Sequence, residues 1–513
     1  MLLSIYEENM IHYIKLKQVA IGVCFLFNCA KISAQKKETL SIPQNITLND
    51  VLKLAGKNSL DIFKAKRNYG VNYWEFRSYK SSLLPKIDFT TRPFTFNSAL
   101  IERYDSEQNI DVYRQQQTIN SFANLSISQD IRATGTSVFL NSSFNRLENF
   151  GDFETKSYNA TPVRIGLVQP IMAFNRFKWE QKTAPLEFQK AKQDFLYELQ
   201  TINLKAVNLF FNWALASKKV AIAEENKTTA KKLFNIGKQR YALIAIERDQ
   251  LLNLELDVYN ANTNLTQNQQ ALQKATAALK LFLRDKLPTG AMPTLPELIS
   301  DLSINLNKAI DLAYKNNPDI LNLKIKKIEA LRNLDQVVKN NRFDLSLTAS
   351  YGLNQQADTF VDAYGRFLDQ QNVSIQFSIP VLDWGERKGK IKTAIMNKEV
   401  VDIELQQNEE TYKQDITQNV LDFNIQHELV LGALRTNEIS KESYHLTEKR
   451  FLSGSVDFLN LTSSRKAWQQ ANENYIQALQ SYWALYYKVQ QLTLYNFIDN
   501  TPLLQDFKTI LDN

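Results

Sequence analysis

Cysteine is nearly absent: Cys24 and Cys29 are the two in the chain, and both fall within its first 34 residues. Beyond that stretch no disulfide framework and no thiol chemistry is available. Histidine is almost as scarce. Past the first 34 residues only His427 and His445 are left. On one helix they stand about five turns, roughly 27 Å, apart, too far to share a metal. Glycine (14) and proline (12) are few for 513 residues, which disfavours many short elements and favours long ones. No apolar run reaches the length of a membrane-spanning helix. The net charge of +7 is spread along the chain, with no basic block interleaved with aromatics, so nucleic acid is not expected as a partner.

What is present is a chain that can build a core, 44% apolar and 11% aromatic. Lys15 and Lys17 precede the short apolar run Val19 to Phe27, and "CAKISAQ" follows with Ala34 as a cleavage residue. That pattern predicts a secretory signal peptide over 1–34, with translation starting at Met1 or Met10. Asn28 stands where a small residue is wanted before a lipidated cysteine, which argues against lipidation of Cys29.

The chain repeats itself. "TLNDVLKLAGKNSLDI" (Thr47–Ile62) and "NLNKAIDLAYKNNPDI" (Asn305–Ile320) agree at eight of sixteen positions. "QPIMAFNRFK" (Gln169–Lys178) then matches "IPVLDWGERK" (Ile379–Lys388), now 210 residues apart. Two breaks in helical sequence keep that offset: "RYALIAIERDQL" from Arg240 and "RFLSGSVDFLNL" from Arg450. Repeat 1 is assigned to 35–300 and repeat 2 to 305–513, and the first carries about 48 extra residues before its proline.

Each repeat reads as helix, strands, very long helix, break and returning helix. In repeat 1 the expected elements are a helix over 48–82, strands near 86–97 and 161–171, and a long helix over 172–241. A tip at 242–247, a return helix over 248–283 and a proline-rich linker over 284–304 follow. In repeat 2 they are a helix over 307–341, strands near 343–353 and 372–381, a long helix over 385–450, a tip at 451–456, a return helix over 457–497 and a tail. The strands alternate with period two, as in Val373, Ile375 and Phe377 against Ser374, Gln376 and Ser378. The extra piece of repeat 1 reads as a hairpin over 120–146, turning at "RATG". Its Asn124, Asn141, Ser142 and Ser143 are polar and argue against its spanning a membrane.

The long helices carry a stripe stepping by threes and fours, from Phe188 to Val220 and from Tyr412 to Leu434. A helix over 172–241 is roughly 105 Å long at 1.5 Å per residue. Two shorter helices stacked end to end can line it: 248–283 and 307–341 for the first long helix, 457–497 and 48–82 for the second. The proline-rich linker and the C-terminal tail would then meet side by side at mid-height. The fold class expected is α+β: a coiled-coil-like helical wall with strands emerging at one end and the breaks at the other.

At this point the residues resemble the TolC-type outer-membrane efflux proteins, and members from the Bacteroidetes-like branch in the extra hairpin. The resemblance rests on "LVQPIMAFNRFKWEQKTA", "FSIPVLDWGERKGKIKTA", "RFLSGSVDFLNL" and "ANENYIQAL", and covers about 47–497. It implies a homotrimer sharing one β-barrel in outer-membrane lipid, of twelve strands or eighteen, above one periplasmic α-barrel. It implies a passive exit duct, driven by an inner-membrane pump through a periplasmic adaptor protein, with no enzymatic activity and no cofactor. The tips would close the entrance and dock the adaptor, through Arg240, Tyr241, Arg450, Phe451, Gly454 and Ser455. Relatives place acids just after the second break. Asp457 matches the first of these, and Asn460 stands at the second. In repeat 1, Arg248 stands where an acid or polar residue is common, flanked by Glu247 and Asp249. A ring of Asp457 carboxylates would attract cations, and a plain helix-start role for Asp457 is the competing reading. Because repeat 1 has no glycine at its tip, the two turns are expected to differ in shape. The rival from another class is a pore-less periplasmic or secreted helical scaffold, for which the alternating strands have no use.

Overall fold

The computed structural model describes residues 45–150, 154–298, 302–507 and 510. The leader assigned to 1–34 lies outside the described residues. In chain order repeat 1 runs β1 (Asn45–Thr47), α1 (Leu48–Asn58), α2 (Leu60–Ser81), β2 (Lys86–Asp105), β3 (Ile110–Ile131), β4 (Thr136–Phe150), β5 (Thr155–Ile171), α3 (Arg176–Ala242), α4 (Arg248–Phe282) and β6 (Met292–Thr294). Repeat 2 runs α5 (Leu306–Asn316), α6 (Pro318–Asn340), β7 (Asp344–Ala357), β8 (Leu368–Ser378), α7 (Glu386–Leu452), α8 (Phe458–Thr493), β9 (Tyr495–Asn496) and β10 (Thr501–Pro502).

The opening helix of each repeat, expected as one rod, is two. Ser59 and Asn317 hold the same repeat position, and each takes extended backbone geometry that ends one helix and caps the next. Ser59 Oγ accepts from the Ile62 amide at 3.2 Å, and Asn317 Oδ1 from the Asp319 amide at 2.8 Å. These caps satisfy amides that a helix start leaves orphaned. Both residues are buried, and Asn317 Nδ2 also donates to the Leu492 carbonyl at the end of α8.

All six long strands form one antiparallel sheet, ordered β2-β3-β4-β5-β7-β8. Strand β2 runs eight residues beyond its expected end at 97 and carries a bulge between Arg92 and Thr95, around Pro93. The register lines up Ile87, Ile127, Leu140, Ile165 and Tyr351 as one cross-strand row. The adjacent row, on the opposite face, reads Asp88, Ser126, Asn141, Arg164, Gly352 and Gln370. The extra hairpin, β3 and β4, therefore sits inside the sheet. Its Asn124, Asn141 and Ser143 lie on the polar face, while Ser142, opposite Leu125, shares the mostly apolar face of Leu125, Ile127, Val138 and Leu140. Their polarity is the alternation of a two-faced strand and does not set the hairpin apart.

Strand order decides helix neighbours. Strand β7 pairs with β5, so the helix before β7 (α6) comes down beside the helix after β5 (α3). Strand β8 then brings α7 against the other side of α6. The expected lining therefore holds for α6 beside α3, while that of the first opening helix is corrected: α1 and α2 pack along α3, the long helix of their own repeat, and α5 and α6 also line α7. The return helices α4 and α8 pack on α3 and α7, and α8 also lies on α3.

Helix α3 is thus surrounded and buries Val207, Phe210, Phe211 and Ala214 besides Ala191, Phe195, Ile202, Ala206, Trp213 and Ala216 of its expected stripe, while α7 buries Ile416, Val420, Phe423 and Val430. Each large side chain so buried stabilises by about 1.5–3 kcal/mol. At mid-height β1 pairs in parallel with β6 of the proline-rich linker, and the tail forms its own hairpin of β9 and β10. The linker's strand partner is therefore the N-terminal strand, not the C-terminal tail.

Candidate functional site at the helix tips

Helices α3 and α7 are each 67 residues, about 100 Å long at 1.5 Å per residue. The sheet joins one end, and the two tips form the other. At the first tip the Ile244 amide donates to the Tyr241 carbonyl at 3.0 Å and the Ala245 amide to the Arg240 carbonyl at 2.8 Å. At the second, the Gly454 amide donates to Phe451 at 3.0 Å and Ser455 to Arg450 at 2.9 Å. Both are the same Schellman closure, with a left-handed residue past the helix end. The two turns do not differ in shape, contrary to expectation. Ile244 takes φ 58° where Gly454 takes 80°.

Side chains distinguish them. Arg240 Nη2 donates to the Leu452 carbonyl at 2.7 Å, so the end of α3 caps the end of α7. Arg450, its repeat counterpart, is exposed and makes no side-chain hydrogen bond or ion pair among the described residues. Phe451 lies half-buried against Phe458, with ring centroids 6.4 Å apart, whereas Tyr241 is exposed. Ser453 Oγ donates to the Arg450 carbonyl and shares a hydrogen bond with Ser455 Oγ.

Asp457 is the N-cap of α8, its Oδ1 accepting from the Asn460 amide at 2.8 Å. Glu247 is the N-cap of α4 and makes no such bond. Arg248 and Asp249 open α4 on its exposed surface. The structure therefore brings Arg240 to the second tip, and leaves Asp457 and Asn460 without a side-chain hydrogen bond or ion pair to Glu247, Arg248 or Asp249 among the described residues.

Behind the tips Ile222, Leu233, Leu254, Tyr444, Leu461 and Trp468 form one buried cluster joining both repeats. Tyr444 stacks on Trp468 at 5.3 Å, and burial, reinforced by the Glu448 charge, pushes its phenol up to about 12. Sequence reasoning missed the polar lock beside it. Arg465 of α8 holds Asp257 of α4 bidentately, at 2.7 and 3.1 Å, with the side chains 10% and 11% exposed. Lys219 and Glu473 add a second pair at 3.0 Å. At the other end of α7, Asp383 accepts from the Arg387 side chain and amide, which lower its carboxyl to about 2.

Among the described residues no helix is long and apolar enough to cross a membrane, and no group of three or more His, Cys, Asp or Glu could hold a metal. A duplicated long-helix wall carrying a two-faced sheet at one end and paired turns at the other defines the class of outer-membrane channels with a helical extension. The chain belongs to the outer membrane efflux protein family, whose profile matches residues 133–283 and 309–493. The family is one of channel proteins, and membership locates the sheet in the outer membrane and the long helices in the periplasm.

The fold is similar to that of the Campylobacter jejuni CmeC outer membrane channel, at 16% identity over 91% of this chain and 88% of the other, with a TM-score of 0.63. It is similar to the Vibrio cholerae outer membrane protein VceC, at 12% identity over 89% and 97%, with 0.60. The Neisseria gonorrhoeae MtrE outer membrane channel in its open state matches at 13% identity over 89% and 91%, with 0.56. No curated protein matches the chain by sequence.

Proposed function

We propose that three copies of this chain form one continuous outer-membrane duct, the passive exit of a tripartite efflux system. The observation that carries this reading is the six-stranded sheet, whose outer strands β2 and β8 have no further partner among the described residues. Unpaired strand edges cannot face lipid, so the edges must be closed by other chains. The strands are 11 to 22 residues long, against the roughly 9–11 needed to span a bilayer. Six strands from each of three chains give a barrel of eighteen. The exposed Val381, Leu382 and Trp384 at the foot of β8 fit the inner interfacial layer of that membrane.

The helices of the three chains then enclose the periplasmic tunnel, with the tips at its entrance. Energy comes from an inner-membrane pump, and a periplasmic adaptor docks on the exposed tip residues. Leu243 and Ile244 give that surface its apolar part. Three Asp457 carboxylates around the axis make the entrance cation-attracting, a role compatible with capping because a carboxylate has further acceptor sites.

Planar-bilayer recording tests both levels. The purified protein should form discrete, cation-preferring channels, and Asp457→Ala should reduce that preference. Absence of any conductance from well-folded protein would sink the duct. Unchanged selectivity in the variant would sink the ring and leave Asp457 a helix cap.

A further inference from the structure

Within one chain, the face of α3 that runs through Phe211, Ile222 and Leu233 and ends at Arg240 is buried, with α8 lying on α3. The repeat offset of 210 maps that face onto α7 at Leu421, Gly432, Ser443 and Arg450. There it is exposed, together with Ile425, Leu429, Ile439 and Leu446, which step along the same stripe by threes and fours. The helix that corresponds to α8 is α4, and α4 carries its own exposed row, Leu252, Leu256 and Tyr259, at i, i+4 and i+7. The flank formed by α7 is continuous with the free edge of β8, so it is the side of the chain that meets a neighbour.

We propose that Arg450 is an interchain helix cap, its guanidinium donating to the Ala242 carbonyl at the end of α3 in a second copy, as Arg240 donates to Leu452 within one chain. The occupant is a second copy because the intrachain contact is itself the template: donor, acceptor and helix faces all recur 210 residues on, and a head-to-tail contact of this kind closes into a ring. Leu452 is the last residue of α7 and Ala242 the last of α3. The Ala242 carbonyl receives no hydrogen bond from a loop or a side chain among the described residues. The α7 stripe then lies on α4 of the same neighbour. The inference rests on the trimeric reading and adds to it the residue that ties the tips across chains.

The seams differ in one respect. The intrachain seam holds the Arg465–Asp257 pair, whose repeat counterparts are Glu255 and Ala467. The interchain seam therefore has no equivalent ion pair, and the Arg450 cap is its main polar tie at the tip.

The test uses the full chain in detergent, with cysteine pairs and a short bismaleimide. Arg450→Cys with Ala242→Cys should yield covalent dimers and trimers on a denaturing gel. Arg240→Cys with Leu452→Cys should yield only an internal cross-link. Native mass spectrometry of the same samples keeps the two levels apart. A trimer in which the 450/242 pair stays monomeric on the gel overturns the cap alone, and a monomer in detergent overturns the trimeric reading as well. Independently, Arg450→Ala should lower the fraction of trimer surviving mild dodecyl sulfate several-fold, while Lys449→Ala leaves it unchanged. Equal survival of the two variants also overturns the cap.

Discussion

The two tips close with one hydrogen-bond pattern but different residues in it. In the second, Gly454 adopts the left-handed backbone without cost. In the first, a β-branched residue, Ile244, adopts it while 93% exposed and therefore without packing to compensate. The geometry follows from ending a helix and turning back at once, and either residue can be made to serve. What differs is the side-chain chemistry around the turn. Within one chain, among the described residues, Arg240 is engaged and Arg450 is not, and Asp457 caps its helix while Glu247 does not.

The largest effect comes from breaking what holds the two tips together. Arg465→Ala leaves Asp257 charged, nearly buried and unpaired, which costs about 3–5 kcal/mol. Guanidinium unfolding followed by circular dichroism should register the loss, and Asp257→Leu combined with Arg465→Met should recover most of it. A loss below about 1 kcal/mol would make the pair a surface-like contact.

Exchanging the turn residues has a smaller effect of opposite sign at the two tips. Gly454→Ala should destabilise by about 1–2 kcal/mol from the left-handed backbone alone, since an added Cβ meets no atom there. Ile244→Gly should stabilise by a similar amount, about 1 kcal/mol. Shifts of the same sign in thermal melts would show that packing, not backbone strain, governs the turns.

The caps give the smallest difference. Asp457→Ala should cost about 1 kcal/mol by losing the bond from the Asn460 amide, and Glu247→Ala only a few tenths. Amide hydrogen exchange over the first turn of α8 and of α4 reads this directly. Equal protection loss at both sites would contradict the capping geometry.

Much of this was legible locally. The repeat positions of Arg240 and Arg450 fixed both breaks, and the alternation around Val373 and Ile375 marked a two-faced strand. The split of the opening helices was written in "KNNPDI", where Asn317, Pro318 and Asp319 are an N-cap, a first-turn proline and a first-turn acid. The Arg465–Asp257 lock had no such signature. Its partners lie 208 residues apart, and neither has a matching counterpart in the other repeat. The polar residues of the extra hairpin are hard to read from composition for a related reason. Composition counts Asn141 and Ser143, but register decides which face they take.

The sequence by itself determined the two long helices, strand alternation, the duplicated plan and the places where each long helix ends. Those depend on residues within a few turns of one another, through periodicity, capping and the scarcity of glycine and proline. The tertiary structure alone decided that the extra hairpin lies within the sheet, that α6 runs between α3 and α7, and that Arg240 reaches the other tip while Arg450 does not. The first depends on strand register, and the other two on strand order that brings together segments one to two hundred residues apart, and none of these leaves a trace in local spacing.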